Sequence, residues 1–340
     1  MKKLACFWSF LMVMSAMVLL AQPSSYKILN KIHLDGDGGW DYLTVDELTN
    51  RLFVSHNTQV QVVDLSTGKV TGIVPNLKGV HGIAIANDIN KAFISCGRDS
   101  SVVVIDLTTL KFIAKIKVTG ANPDAILYDP YSHNVFTFNG RSANATIIDA
   151  KTHAIVATLP LGGKPEFSVT DERGKIFVNI EDKNLVCEIN ANSLRVEQMW
   201  PIAPGEEPTG LAMDKINHRL FSVTDKLMVV LDSETGKIVA RVAIGANVDG
   251  VAFDPVKKRA YSSNGEGTVT VVEEITENDF RVVETIPTRR GARTIAINNK
   301  THRIYLPTAE FGATPKPTQE NPHPRPSINP GTFIIIEVGM

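Results

Sequence analysis

The sequence predicts an all-β chain, a seven-bladed β-propeller of four-stranded blades closed by the N-terminal strand pairing with the last blade. Three observations predict it. A short phrase recurs at a nearly constant interval. Each interval holds four short β runs joined by turns, and no long helical periodicity occurs anywhere. The C-terminal unit is one strand short, while the N-terminal side has one to spare.

The recurring phrase is a β-branched run ending in an acidic or amide residue and followed by a polar turn. Its acidic positions are Asp64, Asp106, Asp149, Asn190, Asp232, Glu273 and Glu337. Successive spacings from Asp64 to Glu273 are 42, 43, 41, 42 and 41 residues, and the last step is 64. Four strands repeating at roughly 40–45 residues is the propeller signature. One such sheet cannot bury its faces alone, so blades must stack radially. A second phrase supplies the next strand with an aromatic: Phe53, Phe93, Phe136, Phe177, Phe221, Tyr261 and Tyr305. Large flat side chains at that position suit the wedge between blades. Tyr26 to Leu34 precedes the first unit and is expected to serve as the outer strand of the last blade, hiding an edge that would invite aggregation.

The first 21 residues differ from the rest. Lys2 and Lys3 precede an uncharged apolar run from Leu4 to Leu20, and Ala21 offers a small residue before Gln22. This is the pattern of a secretory signal peptide, with the propeller domain covering 22–340 and a periplasmic or secreted location expected. A transmembrane anchor is the alternative, at the lower length limit for a span. Formal net charge is −1; removing residues 1–21 removes two lysines and no acid, leaving −3. That balance argues against nucleic acid as partner. After cleavage only Cys96 and Cys187 remain, in different repeats, so no disulfide framework is expected and stability must come from packing.

A third phrase leads each unit, and its first residue is expected to lie nearest the axis. Around the ring it reads Asp41, His81, Asp124, Glu166, Thr209, Asp249 and Arg293. Ionisable groups converging on one axis are costly unless paired or used. The loops between second and third strands are expected to add His56, Arg98, Asn139, Arg141, Asp225, Asn264 and Glu266 to that face. Two readings stand side by side. In one, the groups pair with each other, Arg293 lying between Asp249 and Asp41. In the other, Asp41, His81, Asp124, Glu166, Asp249, Arg293 and Arg141 form a site for a small polar ligand. Carboxylates with imidazole suit a divalent cation, so His81, Asp124, Glu166 and Asp249 are candidate ligands, Asp41 with them. For catalysis, His81 or Glu166 could act as base, with Arg293 or Arg141 as stabiliser. No serine lies in a nucleophile-elbow sequence, which disfavours nucleophilic catalysis.

The excess in the last unit runs from Pro307 to Pro330 and contains seven prolines. They bias it toward extended polyproline conformation. It should emerge on the charged face as a covering or docking arm, with Glu310, His323 and Arg325 as contacts. Trp40, beside Asp41, could stack on a flat ligand or pack between blades.

The phrases Val103-Val104-Ile105-Asp106 and Phe53-Val54-Ser55 or Phe93-Ile94-Ser95 resemble the YVTN-repeat, YncE-like propellers of bacterial envelopes, over about residues 26–340. The resemblance implies the propeller fold and leaves function open. A repeat with no recognisable catalytic motif points to a binding or scaffold role in the envelope, as a monomer with a small polar ligand or an envelope protein as partner. Similar propellers include lactonases and streptogramin lyases, which implies a metal-assisted lactonase or lyase as the alternative. One relative is associated with single-stranded DNA, a partner class that the charge of −3 opposes.

Overall fold

The computed structural model describes residues 25–36, 38–318 and 324–340, so the expected signal segment 1–21 and His323 lie outside the described residues. The described residues form seven four-stranded antiparallel sheets. Blade one is typical: Trp40–Asp46, Arg51–His56, Gln59–Asp64 and Lys69–Val74, hydrogen-bonded in that order. The seven innermost strands touch one another in succession around the ring, and the last, Ala296–Asn298, meets the first, Trp40–Asp46. Among the described residues no helix is long and apolar enough to cross a membrane.

Radial stacking explains the aromatic position. Phe53, Phe93, Phe136, Phe177, Phe221, Tyr261 and Tyr305 are all buried. Phe53 of blade one packs in a cluster with Val80, Ile83 and Ala92 of blade two, so the ring fills the seam between sheets. The acidic position of the repeat is a turn device. Asp64 accepts from the Ser66 and Thr67 amides, Asp232 from those of Glu234 and Thr235, and Asn190 does the same for Asn192 and Ser193. Side-chain oxygens that take up turn amides are the reason Asp and Asn recur here.

Closure uses both ends of the chain. Lys27–His33 pairs antiparallel with Ile334–Gly339, matching Lys27 to Gly339 and His33 to Ile334. The expected outer strand of the last blade is therefore the N-terminal one. The residues just before it reach blade six. The Tyr26 hydroxyl lies 2.8 Å from that of Tyr261 and accepts from Arg259 at 3.0 Å, while Ser25 Oγ donates to Glu284 at 2.9 Å. Leu34 is fully buried and its amide donates to the Phe333 carbonyl at 3.0 Å. Cys96 and Cys187 are buried free thiols, as expected.

The arm joins Arg303–Thr308 to Ile334–Gly339. Its flanks pair with each other. Phe311 and Ile328 form an antiparallel bridge, Gly312 N donates to Ser327 O at 2.9 Å and Asn329 N to Glu310 O at 2.8 Å. The arm thus leaves the blade on a short hydrogen-bonded stem.

Closure carries a stability prediction. Leu34→Ala is expected to lower unfolding free energy by about 2–4 kcal/mol, and Ile28→Ala, exposed on the strand that Leu34 follows, by less than about 1 kcal/mol. Urea unfolding monitored by circular dichroism reads both; an unchanged midpoint for Leu34→Ala would show the N-terminal strand to be dispensable.

Candidate functional site

The mouth of the ring is built by a repeated irregularity. In five innermost strands the pairing register shifts just after the first residue: between Trp40 and Leu43, Val80 and Ile83, Pro123 and Ile126, Pro165 and Ser168, and Val248 and Gly250. Asp41, His81, Asp124, Glu166 and Asp249 each sit inside one of these bulges. A bulge re-aims a side chain, here toward the axis. Buried hydroxyls satisfy the displaced backbone: Ser55 Oγ accepts from Asp41 N at 2.9 Å, and Ser95 Oγ accepts from Gly82 N at 2.8 Å and donates to Asp124 O at 2.5 Å.

These side chains open on an axial cavity of about 400 Å³, lined among others by Asp41, Asp124, Lys164, Glu166, Asp249 and Arg293. Three subclusters form. His81 Nδ1 lies 2.6 Å from Asp41 Oδ2 and 3.4 Å from Asp124 Oδ1. Lys164 Nζ lies 2.6 Å from Glu166 and also contacts Glu181. Arg293 Nε lies 3.3 Å from Asp249, the ion pair expected from their adjacency in the ring. Thr209 turns to backbone, its hydroxyl 3.3 Å from the Val248 carbonyl.

Beneath the charges the Tyr42 ring, from blade one, meets Phe167, from blade four, at 5.3 Å between centroids. An aromatic pair therefore crosses the axis, and the cavity is a cup with a floor.

Of the loop residues expected at this face, three are corrected. His56 is buried, hydrogen-bonded to Gln61 at 2.9 Å and packed on Phe333. Asn139 and Asn264 are buried too, tying their own hairpins through Asn144 and Thr146, and Thr268 and Thr270. Each closes its second strand, so its side chain is still committed to the sheet. Arg141 is exposed and is absent from the lining of the cup. Glu310 pairs with Arg289 at 3.2 Å, and Arg325 lines the cup. Lys164, Glu181 and Tyr42 were missed by the sequence reading. Glu181 opens a single helical turn, Glu181–Lys183, just after the second strand of blade four, a position whose signal was only its place in the loop.

Electrostatics follow from crowding. Burial, reinforced by Asp41, pushes the Asp124 carboxyl up to about 6 against the pull of His81 and Lys164. Burial and the Asp124 charge push Glu166 up to about 8 despite Lys164. Burial carries Asp249 up to about 6, with Arg293 offsetting part of it. Burial works against a charged His81, but the Asp41 hydrogen bond and the surrounding carboxylates win, and its pKa is raised. Tyr42 is held well above its ordinary range by burial and then by the ring carboxylates.

The three raised carboxyls, Asp124, Glu166 and Asp249, bind protons more tightly in the folded state. Their stabilisation is complete below about pH 4 and is lost as pH rises through about 6 and then about 8. Glu274, pushed up to about 7 on burial, adds the same sign elsewhere, so a variant must isolate the ring. In cation-free buffer, the fall in stability between pH 5 and pH 8.5 is expected to shrink by at least about 2 kcal/mol in Asp124→Asn/Glu166→Gln. Urea midpoints across that range measure it, and an identical slope in the variant refutes strain at the ring.

Comparison with known proteins agrees with this architecture. No family model matches the sequence. The protein YncE of Salmonella typhimurium is 23% identical over 274 residues, which are 76% of this chain and 66% of that protein. YncE of Salmonella typhi is 22% identical over the same coverage. The chain thus matches just under two thirds of the length of these relatives. Among solved structures, a chain of Kuenenia stuttgartiensis hydrazine synthase superimposes with a TM-score of 0.70 at 19% identity, covering 81% of this chain and 94% of that one. A chain of a mitotic checkpoint complex gives 0.73 at 13% identity, covering 90% and 95%. At these identities the structures speak for fold alone. The seven blades and this sequence similarity together make the chain a β-propeller that resembles YncE.

Proposed function

We propose that this chain is an exported binding module of the cell envelope, whose axial cup seats a divalent cation and, through it, a small polar ligand. The observation that carries the reading is the cluster of Asp41, His81 and Asp124, whose ligand atoms all lie within 4.8 Å of one another. Two carboxylates and one imidazole form a mixed oxygen and nitrogen donor set suited to a divalent ion. A cation there would take the place of the hydrogen bond between His81 Nδ1 and Asp41 Oδ2, 2.6 Å apart. Three protein ligands facing an open cup leave a coordination position for a ligand atom. Glu166 and Asp249, also candidate ligands, turn to Lys164 and Arg293 and so act around the ion.

Dialysed protein is expected to bind one of Zn²⁺, Mn²⁺, Ca²⁺ or Mg²⁺ at one ion per chain by calorimetry. At 100 times Kd the ion should stabilise the fold by about 2.7 kcal/mol. Asp41→Asn/Asp124→Asn should abolish both effects. Absence of binding and of any thermal shift with all four ions overturns the reading.

A second reading has one observation in its favour. Burial and the Asp124 charge push Glu166 up to about 8, which favours its proton-bearing form beside the cup. That suits a metal-assisted lactonase or lyase using the ring carboxylates and His81. The same preparation decides it: turnover of a lactone panel lost in Glu166→Gln supports an enzyme, and no turnover with metal bound leaves the binding module. Export rests on the pattern of residues 1–21, and N-terminal sequencing should find Gln22 first in an envelope or medium fraction; an intact Met1 overturns it.

A further inference from the structure

Beside the axial cup lies a second cavity, of about 300 Å³, between Trp40 and the stem of the proline-rich arm. We propose that it is a subsite for a ring-bearing organic acid, with the ring against Trp40 and Phe311 and the acid group against Arg325 and Arg293. This goes beyond the cation reading and stands without it.

The walls are built, and each is held from behind. Trp40 stacks on buried Phe333 at 4.9 Å and 20°, leaving its other side toward the cavity. Phe311 stands 6.1 Å from Trp40, tilted by 50°. Its backbone is fixed by the bridge to Ile328 and the stem hydrogen bonds. The ring comes so close to Gly291 that a Cβ there would sit 2.6 Å from it, and Gly291 has a φ of +81°. Only glycine allows that approach without strain. Ile328 and Pro326 extend the apolar lining. Aromatic and aliphatic walls of this kind accept a flat or ring-shaped body, and the volume is at the small end of the range of about 300–1,000 Å³ for small-molecule sites.

The polar end is supplied by two guanidiniums. Arg293 and Arg325 line both cavities, so the two spaces meet at these side chains. Arg293 is half-exposed, and its Nε lies 3.3 Å from Asp249. Arg325 is exposed; its charge lowers the pKa of Asp249, yet it forms no ion pair among the described residues. A planar fork with free donors matches a carboxylate in two-point geometry. The carboxylates of the cup repel an anion from the axis, so the acid group stops at this boundary and the ring is left between Trp40 and Phe311.

Gly39 offers a clean way to close the cavity. It lines the space, its φ is outside the left-handed region, and a Cβ there would meet nothing within 4 Å. A leucine at 39 would fill the site and leave both arginines in place.

The test titrates the full chain, in EDTA, with benzoate-type aryl carboxylates and with hexuronates, against benzamide and neutral hexoses as uncharged counterparts. Tryptophan fluorescence and thermal midpoint are the readouts. One class of acid is expected to saturate with a change in both, its neutral counterpart binding at least about tenfold more weakly. Arg325→Met should weaken the acid by at least about tenfold and Gly39→Leu should abolish it, while Arg195→Met, which removes a distant positive charge, should change it by less than about twofold. Which arm binds, aryl or sugar acid, identifies the ring. No binding by either class, or binding that survives both Arg325→Met and Gly39→Leu in folded protein, overturns the subsite. The EDTA keeps this outcome separate from failure of the cation site.

Discussion

Seven innermost strands must meet around one axis, and the shortage of space there decides the rest of the molecule. Ordinary strands with side chains on both faces cannot all come that close. The chain answers with small residues and bulges. A Cβ on Gly210 would lie 2.8 Å from Gly250 Cα, so two neighbouring blades touch backbone to backbone. Bulges in five of these strands break the ladder, and buried Ser55 and Ser95 take up the freed polar groups. An unpartnered buried amide would cost about 1–3 kcal/mol, so the serines are a requirement of the bulges. The bulge in turn throws one side chain per blade toward the axis. Position in the ring and chemistry at the mouth therefore come from the same steric constraint.

That constraint concentrates charge where water is scarce. The lining of the cup includes Asp41, Asp124, Glu166, Glu181 and Asp249 against Lys164, Arg293 and Arg325, with His81 between the first two acids. Each acid has found a cationic neighbour or kept a proton. Pairing removes part of the repulsion, and burial, together with the repulsion that remains, keeps the carboxyl pKa values raised. A cup in this state gains by taking up positive charge, whether as protons or as a metal ion. Tyr42 and Phe167 sharpen the effect by closing the axis below, since a cup with an apolar floor screens its charges less than an open pore would.

The fold was legible because the repeat carries its own ruler. Equal spacing of the turn acids gave the blade count, and the spare run from Tyr26 to Leu34 gave the closure. The ring positions were legible too, because one phrase leads each strand. What the sequence hid was depth. His56, Asn139 and Asn264 stand at the ends of second strands, where periodicity cannot say whether the last residue still belongs to the ladder; it does, and they are buried. Lys164 lies two residues before Glu166 and reaches it by a flexible stem, a contact no spacing rule specifies. Tyr42 and Phe167 come from blades one and four, so their meeting across the axis depends on the diameter of the finished ring.

The arm brings a different chemistry to the same mouth. The charged lining of the cup is mainly carboxylate, while the cavity under the arm is apolar and edged with guanidiniums. Arg293 belongs to both. Its Nε is drawn to Asp249, and its side chain, like that of Arg325, lines both cavities. Any group that neutralises Asp249 loosens that hold and frees Arg293 for an anion; any anion on Arg293 draws it from Asp249 and leaves the cup more negative. The two cavities therefore share this side chain, whose charge contributes to both. The repeat supplies the cup and the insertion supplies its neighbour, which is why a propeller scaffold otherwise uniform in its blades has one end with two kinds of chemistry.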